Sequence, residues 1–276
     1  HTVSSESYEI WHCNQCQLRF TQDVPDEQHI GPYYEAEEYI SHSNTNKGLI
    51  NRLYQIVRNY TLQRKQKLVS RLVQTEQASI LDIGCGTGDF LGTMKSAGWT
   101  TQGLEPDPTA RTMAIERHGL TVGMPEELFG FSEASFDVVS MWHVLEHVHR
   151  LHEYLEQIEK ILQPTGRFLV AVPNYPAKDA STYQAKWAAY DVPRHLYHFR
   201  PSAMEPLLAQ HGLEIAEIRQ MPFDAFYVSL LSEKYVHGRL RLISGFWNGL
   251  RSFLNARANP KEGSSLLYVI RKIKGA

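Results

Sequence analysis

The stretch Leu81-Asp82-Ile83-Gly84-Cys85-Gly86-Thr87-Gly88 places three alternating glycines directly after an apolar run. Glycine lacks Cβ, so the backbone can turn sharply there and a ligand can approach it closely. A strand before and a helix after would make this turn a nucleoside-binding loop. The triplet alone would also fit a dinucleotide, but its text is D-I-G-C-G-T-G and not G-x-G-x-x-G. Asp82 bears on the choice: a carboxylate before the turn can accept from a ligand ammonium group and would repel a pyrophosphate. About 20 residues further on, Glu105 stands in Gly103-Leu104-Glu105-Pro106-Asp107, where a carboxylate can accept both hydroxyls of a ribose lacking a 2'-phosphate. A helix N-cap is the ordinary alternative for such an acid, and Asp107 suits that role better.

Histidine is the second reactive group. His143, His147, His149 and His152 follow one apolar run, and His195 and His198 follow the next. Near neutral pH an imidazole can take a proton from a reacting hydroxyl, and His147 and His195 are the candidates. The competing reading is that these rings cap helices and tie loops. The third group is Cys13-x-x-Cys16, half of a tetrahedral zinc site. No later pair completes it, and His12 or His29 would do so with less suitable spacing. Cys85, inside the glycine turn, reads as a small packing residue and not as a nucleophile.

These residues need elements to hold them. Tyr8–His12 and Leu18–Thr21 read as short strands around the cysteine pair, and 46–73 as a long helix with Asn44 or Thr45 as cap. From Ser79 strands and helices alternate, with strands expected at Ser79–Ile83, Thr101–Leu104, Leu120–Val122, Phe136–Met141, Arg167–Val172, Leu213–Gln220 and Leu266–Arg271. Helices are expected at Asp89–Ser96, Pro108–His118, Leu151–Leu162 and Ser202–His211. Such alternation predicts an α/β fold, a mostly parallel sheet with helices on both faces and the ligand beyond the C-terminal strand ends. The reading divides the chain into 1–40, 41–76 and 77–276. An aromatic-rich insertion at about 221–263 reads as one or two amphipathic helices, either completing the core or meeting a membrane surface.

At 276 residues, 42% hydrophobic and 21% charged, the chain is an ordinary globular protein, and no apolar run reaches the roughly 18 residues of a membrane span. Three cysteines are too few for a disulfide framework, so a cytoplasmic setting is expected. The sequence starts at His1 and not Met, so a segment before it is expected. The net charge of −2 is uneven. Tyr39–Thr75 has Lys47, Arg52, Arg58, Arg64, Lys65, Lys67 and Arg71 and no acid, and from Lys234 onward Glu262 is the single acid. Solvated helix faces explain this, as would an anionic acceptor. The basic residues of the first helix are not interleaved with stacking aromatics, so nucleic acid is not the expected partner.

The residues from about Ser79 to Asn174 resemble the class I S-adenosylmethionine-dependent methyltransferases, with a Rossmann-like seven-stranded sheet. Within that class, Phe136-Asp137-Val138-Val139, His143-Val144-Leu145-Glu146-His147-Val148 and Asp191-Val192-Pro193-Arg194-His195-Leu196-Tyr197-His198-Phe199 are similar to the small-molecule branch that includes ubiquinone-biosynthesis O-methyltransferases. The resemblance implies that Asp82, Gly84, Cys85, Gly86 and Gly88 hold the methionine and ribose portion of the cofactor, with Glu105 and Pro106 at the ribose. It places Met124 beside the adenine, and Met141 and Trp142 beside the methionine. It also implies an acceptor site near His143, Tyr190, Arg194 and His198. Some relatives carry a Glu-x-x-Glu-His metal motif with a later His; here His143 replaces the first Glu, while Glu146, His147 and His198 remain. Relatives of this branch often have an N-terminal zinc ribbon, which implies a structural zinc on Cys13 and Cys16 with its other ligands upstream of residue 1. The implied activity is methyl transfer from S-adenosylmethionine to an oxygen of a small, lipid-linked or nucleotide-linked acceptor. The alternatives are an RNA methyltransferase and a non-catalytic cofactor-binding protein.

Overall fold

The computed structural model describes residues 6–35, 49–73, 75 and 77–273. In chain order the elements are β1 (Ile10–His12), β2 (Arg19–Thr21), α1 (Pro32–Glu35), α2 (Leu49–Leu72), β3 (Ser79–Ile83), α3 (Asp89–Ser96), β4 (Thr100–Leu104), α4 (Pro108–His118), β5 (Thr121–Gly123) and β6 (Phe136–Trp142). There follow α5 (Leu151–Ile161), β7 (Leu162–Pro173), α6 (Lys178–Tyr183), β8 (Tyr197–His198), α7 (Pro201–Ala209), β9 (Leu213–Gln220), α8 (Asp224–His237), α9 (Leu242–Ala258) and β10 (Ser265–Lys272). The expected cap at Asn44 or Thr45 lies outside the described residues.

A seven-stranded sheet runs in the order β5-β4-β3-β6-β7-β10-β9. The pairs β3–β4, β3–β6 and β4–β5 are parallel, while β9 and β10 are antiparallel. This is the Rossmann-like arrangement anticipated from the alternation.

By internal contacts the chain forms two compact units. One comprises 37–142 and 153–169. Its centre is β3, whose Ile80, Leu81 and Ile83 are all buried, the continuous apolar run of a strand covered on both faces. Phe90, Leu91 and Met94 of α3 are buried as well. Asp107 caps α4, its side chain accepting from the Ala110 N–H at 2.6 Å, and Pro108 follows at the first helical position.

The other unit comprises 1–36, 143–152 and 170–276. It contains a second sheet, β1-β2-β8, all antiparallel. The expected insertion is a two-helix hairpin, α8 and α9. It packs with Tyr175, Tyr183 and Trp187, through Val228, Leu231 and Tyr235. Buried Asp179 anchors α9 by accepting from Trp187 Nε1 (2.9 Å), Ser252 Oγ (2.9 Å) and Ser264 Oγ (2.6 Å). No described helix is long and apolar enough to cross a membrane.

Candidate active site

The glycine turn follows β3 directly, and Gly84, Gly86 and Gly88 all have positive φ. Two of them need glycine for different reasons. At Gly86 (φ 55°) a Cβ would meet nothing within 4 Å, so the requirement is conformational and the space beside the turn is open. At Gly88 a Cβ would stand 2.6 Å from Leu120 Cδ1 and 2.8 Å from Ala114 Cβ, so the requirement is also packing. Cys85 is buried, its Sγ 2.7 Å from where a Cβ on Gly103 would lie, and burial pushes its thiol well up. It is a packing residue.

Asp82 lies opposite Gly103 on β4 and Ser140 on β6, and Ser140 Oγ donates to its Oδ1 at 2.6 Å. Burial pushes the Asp82 carboxyl up to about 7, with Glu105 adding to the rise and the Ser140 hydrogen bond and Lys65 opposing it. Glu105, also buried, bridges the turn and the next loop. Its Oε2 accepts the Gly86 N–H at 2.8 Å and its Oε1 the Asp107 N–H at 3.0 Å. Burial raises its pKa, against these two hydrogen bonds. Arg111 donates to the Glu105 and Pro106 carbonyls, at 2.6 and 2.8 Å.

Trp142 is half-buried, with Phe90 edge-on at 5.3 Å and the Lys65 ammonium 3.8 Å from its ring centroid. The sequence treats Lys65 as one charge of a basic helix face; the fold sets it over an aromatic ring, with its charge felt at Asp82. Met124 is exposed beside β5, and its N–H donates to Glu127 Oε1 at 2.8 Å. Met141 is fully enclosed in the core and presents no surface, while Pro106 is exposed. A charged anchor, a second carboxylate and open backbone suit a ligand bearing an ammonium group and a ribose.

The histidines divide. His149 Nε2 bonds the Pro25 carbonyl (2.9 Å) and His152 Nδ1 meets His211 Nε2 (2.9 Å), so these two serve structure. His143, at φ 58°, sets Nε2 2.9 Å from Asp224 Oδ2 and Nδ1 3.4 Å from Glu146 Oε1. Although burial opposes it, these two carboxylates hold the imidazole up to about 10, so His143 is a cation.

Glu146 has no exposed surface, and neither of its oxygens has a well-aligned hydrogen-bond donor among the described residues. Burial raises its pKa, but the facing His143 leads the effects that outweigh it and hold it below the ordinary range. One atom each from Glu146, His147 and His195 lie within 4.8 Å of one another. The rings of His147 and His195 meet edge to face at 4.6 Å. His147 Nδ1 lies 2.9 Å from the Arg194 carbonyl and His195 Nδ1 3.0 Å from the Ala189 carbonyl. A carbonyl can only accept, so both rings carry the proton on Nδ1 and keep the Nε2 lone pair. Tyr34 Oη lies 3.0 Å from His147 Nδ1. Burial is the main cause that holds His195 well below the imidazole range, despite Glu146, so it stays neutral.

His198 does not join this group. It is buried with Nε2 3.1 Å from Thr21 Oγ1, and burial with the Arg19 charge pushes it down to about 3. The later histidine of the metal-like pattern is therefore His195. Thr21 Oγ1 donates to the His195 carbonyl at 2.6 Å. Arg194 NH2 bonds Asp191 Oδ1 at 2.7 Å, and Tyr190 Oη accepts from Arg19 at 3.0 Å. Tyr34, Thr21 and Asp224 escape sequence reading because each reaches the histidines from far along the chain, with no spacing to announce it.

Cys13 and Cys16 flank the β1–β2 turn. Cys13 Sγ accepts the Cys16 N–H at 3.5 Å, which holds its thiol below the ordinary value. Among the described residues neither His12 nor His29 joins them in a group of three metal ligands; His29 Nδ1 is instead 2.6 Å from Asp26. The hairpin gains order from another source, since β2 pairs with β8 at Arg19–His198 and Phe20–Tyr197.

The fold and the cofactor-end geometry define a class. The chain belongs to the methyltransferase-domain family, which matches residues 56–218, more than half its length. It is an S-adenosylmethionine-dependent methyltransferase. Among curated relatives it is similar to the ubiquinone biosynthesis O-methyltransferase of Rickettsia bellii (strain OSU 85-389), 25% identical over 69% of this chain and 84% of that protein. The corresponding protein of Maricaulis maris (strain MCS10) is 29% identical over 51% of this chain and 60% of its own. Solved structures sharing the fold include a methyltransferase from Archaeoglobus fulgidus (17% identity, TM-score 0.53, covering 78% of this chain and 94% of that one). Another is Haemonchus contortus phosphoethanolamine N-methyltransferase 2 in complex with S-adenosyl-L-methionine (17% identity, TM-score 0.53, 76% and 53%).

Proposed function

We propose that the enzyme methylates a hydroxyl oxygen of a small-molecule acceptor, free or linked to a lipid or nucleotide. Asp82 would take the cofactor's ammonium and Glu105 its ribose hydroxyls, with Gly84, Cys85, Gly86, Gly88 and Pro106 forming the floor. Met124 would flank the adenine and Trp142 the methionine chain. When bound, S-adenosylmethionine supplies an electrophilic methyl group on its sulfonium sulfur. The protein's share is positioning and proton removal. The observation that carries the acceptor chemistry is the enclosed Glu146 carboxylate beside two imidazoles that both keep Nε2 as the lone-pair atom. His147 Nε2 takes the hydroxyl proton, and Glu146 stabilises the resulting imidazolium. His195, neutral and held by Ala189, packs edge to face against this base and keeps it oriented.

The enclosed Glu146 carboxylate, which faces His143 through one oxygen at 3.4 Å, also favours a second reading. Two imidazole nitrogens and a carboxylate suit a divalent cation, held by Glu146, His147 and His195, which would supply Lewis-acid activation of the hydroxyl. Cys13 and Cys16 suit half of a structural zinc site. Three cysteines and no described membrane-crossing helix support a cytoplasmic setting.

Methyl-labelled cofactor, incubated with a metabolite extract and separately with an RNA pool, tests the acceptor class. Label in small molecules and its loss in Glu146→Gln are expected; label confined to RNA overturns the reading, and label in neither points to a non-catalytic protein. Dialysis against a chelator separates the two forms of activation: an unchanged rate supports His147 as the base, and a loss restored by zinc or manganese supports the cation.

A further inference from the structure

Helix α9 faces the wrong way for an element that only completes a core. Its small residues Gly245, Gly249, Ser252 and Ala256 are the buried ones. They let α9 lie against α8: a Cβ on Gly245 would stand 3.0 Å from Leu230 Cα, and one on Gly249 2.8 Å from Phe226 Cα. At 100° per residue the large apolar side chains fall on the opposite face, with Ile243, Phe246, Trp247, Leu250 and Leu254 spanning roughly 100° of arc. Leu250 is half-buried, but Ile243 is 79% exposed and Phe246, Trp247 and Leu254 are each more than half exposed. The α8–α9 turn extends the patch with exposed Val236, Leu240 and Leu242. Isolated exposed apolar residues are ordinary; a continuous stripe with two aromatics marks a surface that is covered in use.

Charge identifies what covers it. Lys234, Arg239, Arg241, Arg251, Arg257 and Lys261 are all exposed, and no acid stands between Lys234 and Lys261. Of the two flanking acids, Glu233 is buried and bonded to Tyr183, Ser244 and Asn248, and Glu262 accepts from Asn255 and Asn259. A second copy docked face to face would bring the two cation sets together. An anionic surface is attracted to them, and apolar chains with Trp and Phe at headgroup depth, flanked by arginines that reach back to phosphates, suit a bilayer boundary. We propose that the α8–α9 hairpin seats the enzyme on the surface of an anionic membrane. The residues concerned lie outside both groups described above, so the seat and the chemistry can fail independently.

The test is co-sedimentation of the full chain with phosphatidylcholine vesicles, with and without phosphatidylglycerol, together with sedimentation velocity of the protein alone. Binding to the anionic vesicles, weakened by salt and reduced at least roughly tenfold in Ile243→Ser/Phe246→Ser/Trp247→Ser, is expected. The variant should keep its melting temperature, because these side chains are exposed, and a variant that fails to fold is replaced by Arg239→Glu/Arg241→Glu/Arg251→Glu, expected to lose binding equally. A blue shift of tryptophan fluorescence on binding that disappears in Trp247→Phe supports insertion of this face. No vesicle binding, binding indifferent to the substitutions, or a dimer that the triple serine variant dissociates would each overturn the proposal.

Discussion

Replacing Glu105 with Ala tests two roles in one side chain. In the free protein its oxygens accept from Gly86 N–H at 2.8 Å and Asp107 N–H at 3.0 Å. Hydrogen bonds to a charged group contribute roughly 1.5–3 kcal/mol each, but Asp107 is exposed and water replaces its partner, and removing a buried carboxylate relieves a desolvation cost. The net loss of fold stability should therefore be about 1–2 kcal/mol, a fall in Tm of a few degrees for a chain of this size. Cofactor affinity should fall further, because both ribose hydroxyls lose their acceptor and the Gly86 amide is no longer held in place. About 2 kcal/mol corresponds to roughly 30-fold in Kd. Titration calorimetry with S-adenosylhomocysteine, beside thermal melting, reads the two effects separately. Glu105→Gln keeps one acceptor oxygen and nearly the same shape, so both effects should be smaller. A lowered Tm with unchanged affinity would refute the ribose assignment and leave Glu105 as a brace of the turn.

Asp82 should give the site a pH dependence. Its folded pKa of about 7 lies above the unfolded carboxylate value, so the fold binds this proton more tightly than the unfolded chain does. Its contribution to stability is present below pH 4 and lost as pH rises towards 7; melting of wild type against Asp82→Asn should show this slope only in wild type. If the carboxylate takes the ligand ammonium, S-adenosylhomocysteine affinity should rise with pH up to about 7 and be weak and flat in Asp82→Asn. Gly88→Ala combines an unfavourable φ of 77° with contacts under 3 Å to Leu120 and Ala114, and should cost about 2–4 kcal/mol in chemical denaturation. Asp179→Ala strands three donors in the core of the helical hairpin and should cost about 3 kcal/mol, read as a drop in Tm.

Much of the cofactor end was legible because it is local in sequence. A strand, a glycine turn and a helix are consecutive, the next strand ends in an acid, and each carries its own periodicity. The N-cap of α4 at Asp107 was legible for the same reason. Boundaries shifted where sheet pairing overrode local pattern: β7 extends back to Leu162, well before the expected Arg167. Met141 shows the limit of carrying a position over, since β6 is covered on both faces and encloses it, while Trp142 at the strand end is half-buried.

The sequence by itself determined the α/β alternation, the glycine turn after β3 and the class of enzyme, because those depend on residues close together in the chain. The tertiary structure alone decided which histidines come together. His143, His147, His149 and His152 look equivalent in sequence, yet two are tied to carbonyl or imidazole partners elsewhere, and His147 is matched with His195 over Glu146. The tautomers are chosen by the carbonyls of Arg194 and Ala189, and the outward face of α9 by the glycines that let it press against α8. Both depend on which backbone comes near which side chain, a pairing of distant segments that no local spacing encodes.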